Sequence, residues 1–268
     1  MIESLYQLAA VSYLIAALFG GYGIGLSHLK ARRIGVVVMG AGWLMHTLGL
    51  FFLHEMPERP PLYDWSPAIA LTVWLMVMFY LLLRLRMRIS GMVVFVAPPA
   101  FIGMVFACLW FSAEGGVAHP ASGFWSHMHI VLASGGLALL TVAAAAGSLF
   151  ILANRLLKDR RPAARKIGLP SLEALDRVNL VSLSLGFPLL TLGLITGVLW
   201  FKAGVEETSN NVPHAVGTAI AWLVYVVLVG LRYGIGQESR QSPLAAARCA
   251  AAGFVALFIA VVGMRFLA

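Results

Sequence analysis

Histidine is the residue of this chain whose type and spacing point to chemistry. There are seven, at positions His28, His46, His54, His119, His127, His129 and His214. Imidazole is the commonest protein ligand for metals and haem iron, and an ionisable group inside a membrane is a functional signal by default. Phe124-Trp-Ser-His-Met-His129 and Val212-Pro-His214 each put a histidine where a long apolar run begins. Two imidazoles at one depth on facing helices can clasp a planar haem axially, so His129 and His214 are candidate iron ligands. His127 and His129 are two residues apart, so on a helix they diverge by about 200° and cannot serve one site equally. His119 lies among Gly, Ala and Pro and is expected to be solvated. His46 differs, because it sits inside an apolar run beside Leu44, Met45, Leu48 and Leu50. On a helix it lies about 12 Å deeper than His54. That separation predicts two sites, or one site plus a structural histidine bonded to a neighbouring carbonyl.

The elements that must position these residues follow from composition. Hydrophobic residues make up 60% of the chain and charged ones 11%, about half the usual charged fraction. So few charges cannot cover a soluble domain of this size. Apolar runs occupy 5–26, 34–53, 68–83, 92–111, 130–152, 178–201, 212–231 and 249–264. Most reach the roughly 20 residues that cross a 30 Å hydrocarbon core as a helix. Trp65 and Arg248 can extend the two short ones at the interface. The expected fold is therefore all-α, a polytopic integral membrane protein with eight transmembrane helices in one domain, 1–268.

Charge sets the expected orientation. Lys30, Arg32 and Arg33 follow the first run, and Arg84, Arg86 and Arg88 the third. Seven bases from Arg155 to Arg177 follow the fifth, and Arg232, Arg240 and Arg248 the seventh. The other face keeps only Arg59, Lys202 and Arg265. Cytoplasmic loops retain Lys and Arg, so both termini are expected outside the plasma (cell inner) membrane, with the histidine-rich face. The net charge of +8 follows from this bias. It points to membrane lipid as a partner, not to nucleic acid. No cleaved signal peptide is expected, since the first run lacks a basic leader. Cys108 and Cys249 fall near opposite ends of their runs, too far apart for a disulfide.

Several local signals complete the organisation. Ser171-Leu-Glu-Ala reads as the start of a short helix in the longest basic loop. Pro188 is a candidate break in the sixth span, the feature a transporter reading needs. Gly193-Leu-Ile-Thr-Gly197 is a GxxxG pattern, expected to serve ordinary helix packing. No repeat at a fixed period is visible. HExxH, Walker and Ser/His/Asp signatures are absent, so independent catalysis is not expected.

The chain also resembles the cytochrome c assembly protein family, the haem-handling CcsA-like membrane proteins, in its HemX-like or YpjD-like branch. His46-Thr-Leu-Gly-Leu, then Pro60 and Trp74, is similar to the family's early intramembrane histidine and its surroundings. Trp125-x-x-x-His129 resembles its external histidine. Leu175-Asp176-Arg177, Gly186-Phe187, Leu190, Gly193, Thr196-Gly197 and Trp200 resemble its most specific run, which Trp222, Tyr225 and Arg232 continue. Departures accompany the match. The stretch between Trp200 and Trp222 lacks the family's tryptophan-rich segment, Gly230 stands where a histidine is usual, and the late C-terminal histidine is missing. The resemblance implies haem b binding at the outer face during cytochrome c biogenesis, beside other biogenesis membrane proteins. His46 is implied as the intramembrane ligand and His129 as the external one, with His214 as its substitute partner. Trp125 and Trp200 would flank the porphyrin or act as interfacial belt residues. A scaffold or regulator of the same fold without haem, and a small-solute transporter, are the other readings.

Overall fold

A computed structural model describes residues 1–55, 65–113, 124–158, 169–202, 212–233 and 243–258. Eight α-helices run through them: α1 Ile2–Gly25, α2 Leu29–His54, α3 Trp65–Arg86, α4 Val93–Ala113, α5 Phe124–Lys158, α6 Leu172–Lys202, α7 Val212–Tyr233 and α8 Pro243–Phe258. A 3-10 turn, Ser90–Met92, leads into α4, and no strand occurs among the described residues. Each expected apolar run coincides with one helix, although the last extends beyond the described part of α8. Six helices, α1 to α6, are long and apolar enough to cross a membrane. The apolar stretches described for the other two are shorter, Thr218–Gly230 and Pro243–Val255.

Two expectations change at α6. Ser171 does start a helix, and its Oγ accepts the Ala174 backbone N–H at 3.2 Å as an N-cap. That helix is no short loop element, since it continues for 31 residues through the whole sixth span. Pro188 lies inside it without a break. A proline removes one N–H and crowds one carbonyl, and membrane helices tolerate both when neighbours re-satisfy the backbone. The broken helix that a transporter would need is not found at Pro188.

Packing divides the chain into two compact units, Met1–Ser122 with Leu152–Leu175, and Gly123–Ile151 with Asp176–Ala268. In the first, α1 packs on α2 and α4, and α3 packs on α4. In the second, α7 packs on α8, and Leu140, Leu183, Leu190 and Tyr225 form a buried cluster.

The two units repeat one arrangement. Residues 42–50 read Gly-Trp-Leu-Met-His-Thr-Leu-Gly-Leu, and residues 186–194 read Gly-Phe-Pro-Leu-Leu-Thr-Leu-Gly-Leu. In the first unit the Thr47 hydroxyl donates to the Trp43 carbonyl at 2.8 Å, and Trp74 Nε1–H donates to Thr47 Oγ1 at 2.8 Å. Trp43 and Trp74 stack at 5.4 Å. In the second unit the Thr191 hydroxyl donates to the Phe187 carbonyl at 2.9 Å, and Trp222 Nε1–H donates to Thr191 Oγ1 at 2.9 Å. Phe187 and Trp222 stack at 6.3 Å. Gly42 and Gly49 face Tyr13 and Tyr6 of α1, as Gly186 and Gly193 face Leu140 and Ala133 of α5. The offset between corresponding residues differs from helix to helix. A repeat of this kind has no fixed period in the chain.

Candidate functional site

His129 lies in the second turn of α5, half-buried. Its Nδ1 is 2.7 Å from the Gly193 carbonyl oxygen of α6. A carbonyl only accepts, so Nδ1 carries the hydrogen, and in the neutral ring Nε2 keeps its lone pair. Two glycines make this contact possible. A Cβ on Gly193 would lie 2.8 Å from the Ala133 backbone nitrogen, so only glycine lets α5 approach that carbonyl. A Cβ on Gly197 would lie 2.8 Å from His129 Nδ1, so glycine also opens the seat for the ring. The GxxxG pattern therefore does two jobs, packing at Gly193 and seating an imidazole at Gly197. The Thr196 hydroxyl also reaches the Gly193 oxygen, at 2.9 Å. Trp200, one turn further on, places its ring 5.9 Å from the imidazole at a 37° tilt. A histidine held through Nδ1 by a carbonyl is the usual arrangement of a ligating imidazole, because it fixes both tautomer and ring direction.

His46 sits in the first unit and is wholly buried, with no exposed surface. Its Nδ1 lies 3.3 Å from the Tyr13 hydroxyl, and Nε2 is buried without a hydrogen-bond partner. The Tyr6 ring stands edge-on at 5.6 Å and 76°. Gly42 and Gly49 lie on the same face of α2 as His46 and form the notches that admit these tyrosines. A Cβ on Gly49 would lie 2.7 Å from the Tyr6 ring, and one on Gly42 3.2 Å from the Tyr13 ring. Both tyrosines escape a search for ligands, yet a signal exists. Tyr6 and Tyr13 are seven residues apart, as are Gly42 and Gly49, which puts each pair on one helical face. At the position of His46 the second unit has Leu190, 2% exposed in its apolar cluster.

The other sequence candidates fall elsewhere. Trp125 is 41% exposed and meets Phe124 edge-to-face at 5.4 Å. It shares the first turn of α5 with His127, not the ring of His129. His214 is the third residue of α7, and its side chain lies outside the described residues, as does all of His119. His54 closes α2 and is exposed. Among the described residues no group of three metal-binding side chains forms, and Cys108 and Cys249 are not joined in a disulfide. Asp176 and Arg232, both in the run that resembles the family, are partners. Arg232 Nη2 donates to Asp176 Oδ1 at 2.6 Å, with Arg232 5% exposed and Asp176 28%. The pair ties the start of α6 to the end of α7, where the Ser184 and Tyr233 hydroxyls also bond.

Haem places different demands on the two histidines. His129 fits, with an oriented nitrogen and an aromatic ring beside it. His46 offers an orphan nitrogen but no open face, so a porphyrin reaches it only if α1 and α2 part.

Comparison with known proteins adds a separate finding. The sequence profile described as cytochrome C assembly protein matches residues 62–268. That range includes His129, Gly193, Gly197 and Trp200, while His46 precedes it. Among similar curated proteins, cytochrome c biogenesis protein CcsA of Prochlorococcus marinus is 34% identical over 95 residues, 35% of this chain and 29% of that protein. The protein of the same name from Gloeobacter violaceus is 31% identical over 96 residues, 36% and 27% of the two chains. The one from Chlamydomonas reinhardtii is 23% identical over 250 residues, 90% of this chain and 68% of that one. The matched stretch thus spans less than a third of the first two relatives.

Proposed function

The chain belongs to the cytochrome c assembly protein family, and on that premise we propose that it is a haem-binding membrane protein of cytochrome c biogenesis, without catalysis of its own. The observation that carries this reading is the His129 imidazole, held by the Gly193 carbonyl with Nε2 left as a base. Haem, when bound, supplies an iron whose axial positions imidazole nitrogens can fill. His129 is the external ligand in this reading, and His214 at the start of α7 its partner. Trp200 flanks the porphyrin, and Trp125 serves the interface. His46 is the intramembrane candidate, held by Tyr13 and enclosed by Tyr6. Haem b, the HemX-like or YpjD-like branch, other biogenesis membrane proteins as partners, and an outward-facing site in the plasma membrane complete the proposal. The bias of basic residues supports the orientation.

Absorbance of the purified, reduced protein tests it. A Soret band should appear on adding haem, and its absence would sink the reading. His129→Ala should weaken haem binding about tenfold or more, and His119→Ala should leave it unchanged. Equal losses refute the ligand assignment. A scaffold that has lost haem is the second reading, favoured by Gly230, which stands where a histidine is usual in the family. A missing Soret band with a folded protein decides for it.

A further inference from the structure

The Gly193 carbonyl oxygen that holds His129 is approached by more donors than it has lone pairs. In the uninterrupted α6 ladder it is the acceptor for the backbone N–H of Gly197, four residues on. Between the two helices it accepts His129 Nδ1–H at 2.7 Å. The Thr196 hydroxyl stands 2.9 Å away as a third donor. A carbonyl oxygen offers two lone pairs, so these hydrogens compete.

Thr196 has a choice that sets it apart from ordinary helix threonines. A threonine in a membrane helix commonly returns its hydroxyl to the carbonyl four residues back, as Thr72 and Thr141 do to Ala68 and Leu137. Thr196 Oγ1 reaches that carbonyl too, of Leu192, at 2.9 Å. Two acceptors therefore lie at one distance, and the hydroxyl has one hydrogen to give. Turned to Leu192, it leaves the Gly193 oxygen to the imidazole. Turned to Gly193, it draws on the electron density that His129 Nδ1–H needs.

The partner of the second ring nitrogen governs how strongly a histidine binds its metal. A stronger acceptor at Nδ1–H pushes electron density towards Nε2, which favours ferric over ferrous iron, and a weaker one does the reverse. We propose that Thr196 is a positioning residue that acts through the Gly193 oxygen to set how strongly His129 donates to haem iron, and so the reduction potential of that iron. The hydroxyl works on the carbonyl, and the carbonyl on the imidazole. This rests on the reading of His129 as a haem ligand.

The experiment uses the full chain in detergent, loaded with haem. Potentiometric titration follows the haem component that His129→Ala removes. Thr196→Val keeps the shape of threonine and deletes the competing donor. It should raise the ferric-to-ferrous affinity ratio about threefold, a fall in midpoint of about 28 mV at 59 mV per tenfold. Thr196→Ala should shift it in the same direction, which covers a valine variant that fails to fold. Thr196→Ser retains the hydroxyl and should hold the original potential. So should Thr141→Val, which removes a hydroxyl bonded to Leu137 on α5. A threonine that serves packing alone would alter the melting temperature of these variants and not the potential.

The hydrogen bond is read separately in haem-free protein with isotope-labelled histidine. The Nδ1–H proton resonance of His129 should move downfield in Thr196→Val and stay in place in Thr196→Ser. An unmoved resonance, or a midpoint that stays or rises in Thr196→Val, overturns the proposal and leaves His129 as a ligand. A protein that takes up no haem overturns that reading and the proposal with it.

Discussion

At the residue scale, one oriented nitrogen carries the functional argument. The Gly193 carbonyl decides which nitrogen of His129 holds the proton, and Gly197 decides whether the ring can reach that carbonyl. Gly197→Ala places a methyl group inside the imidazole contact. It should lower stability by about 1–3 kcal/mol and haem affinity by roughly 10- to 100-fold. Thermal melting and haem titration measure the two. Ordinary GxxxG packing would move only the first, so unchanged haem affinity refutes the seating role. The buried His46 depends on a different bond. Tyr13→Phe leaves both imidazole nitrogens of His46 without a partner and should cost about 1–3 kcal/mol, read by denaturant unfolding in detergent. A smaller loss than that of Tyr80→Phe, whose hydroxyl already lacks a partner, would show that the Tyr13–His46 bond contributes nothing.

At the element scale, paired helices are clasped by a few polar contacts in an apolar setting. Thr47 and Thr191 each satisfy a tryptophan Nε1–H across helices while bonding their own helix backbone. The Asp176–Arg232 pair closes α6 against α7 with little exposure of the arginine. Arg232→Ala leaves a partly buried carboxylate alone and should destabilise by about 2–3 kcal/mol, below the range for a fully buried pair because Asp176 is partly solvated. Asp176→Asn should cost less, since the amide oxygen can still accept. The unfolding midpoints of the two variants test that order, and equal midpoints contradict it. The repeat also shows what each unit can do without. The second unit replaces the His46 position with Leu190 and keeps the Thr–Trp clasp, so the clasp serves packing and the histidine is an addition to it.

At the scale of the whole molecule, orientation follows from charge. Helix ends that carry basic residues, at α3, α5 and α7, should face the cytoplasm, and the α5 start with His127 and His129 the outside. A cysteine at Ala118, in a background with Cys108→Ser and Cys249→Ser, should react with an impermeant thiol reagent in intact cells. Reaction only after permeabilisation reverses the topology and moves the proposed haem face inside.

The sequence by itself determined the class of the protein. Apolar runs of membrane length leave helices as the only economical way to satisfy their backbone, and each run became one. Spacing also sets His46 about 12 Å along α2 from His54. What it could not supply was anything that depends on one helix meeting another. The Gly193 carbonyl is a backbone atom with no signature in the chain, and its bond to His129 exists only because two glycines bring α5 and α6 together. Tyr6 and Tyr13 reach His46 from a different helix. The doubled arrangement is spread over helices whose offsets differ, so its matching contacts, Trp74 to Thr47 and Trp222 to Thr191, are set only by packing. Ser171 and Pro188 read locally as an isolated helix start and a break, but one uninterrupted α6, long and apolar enough to cross a membrane, contains both signals. Residue type and period are properties of the chain. Tautomer, enclosure and partner are properties of packing, and they distinguish the half-buried, oriented imidazole of His129 from the enclosed one of His46.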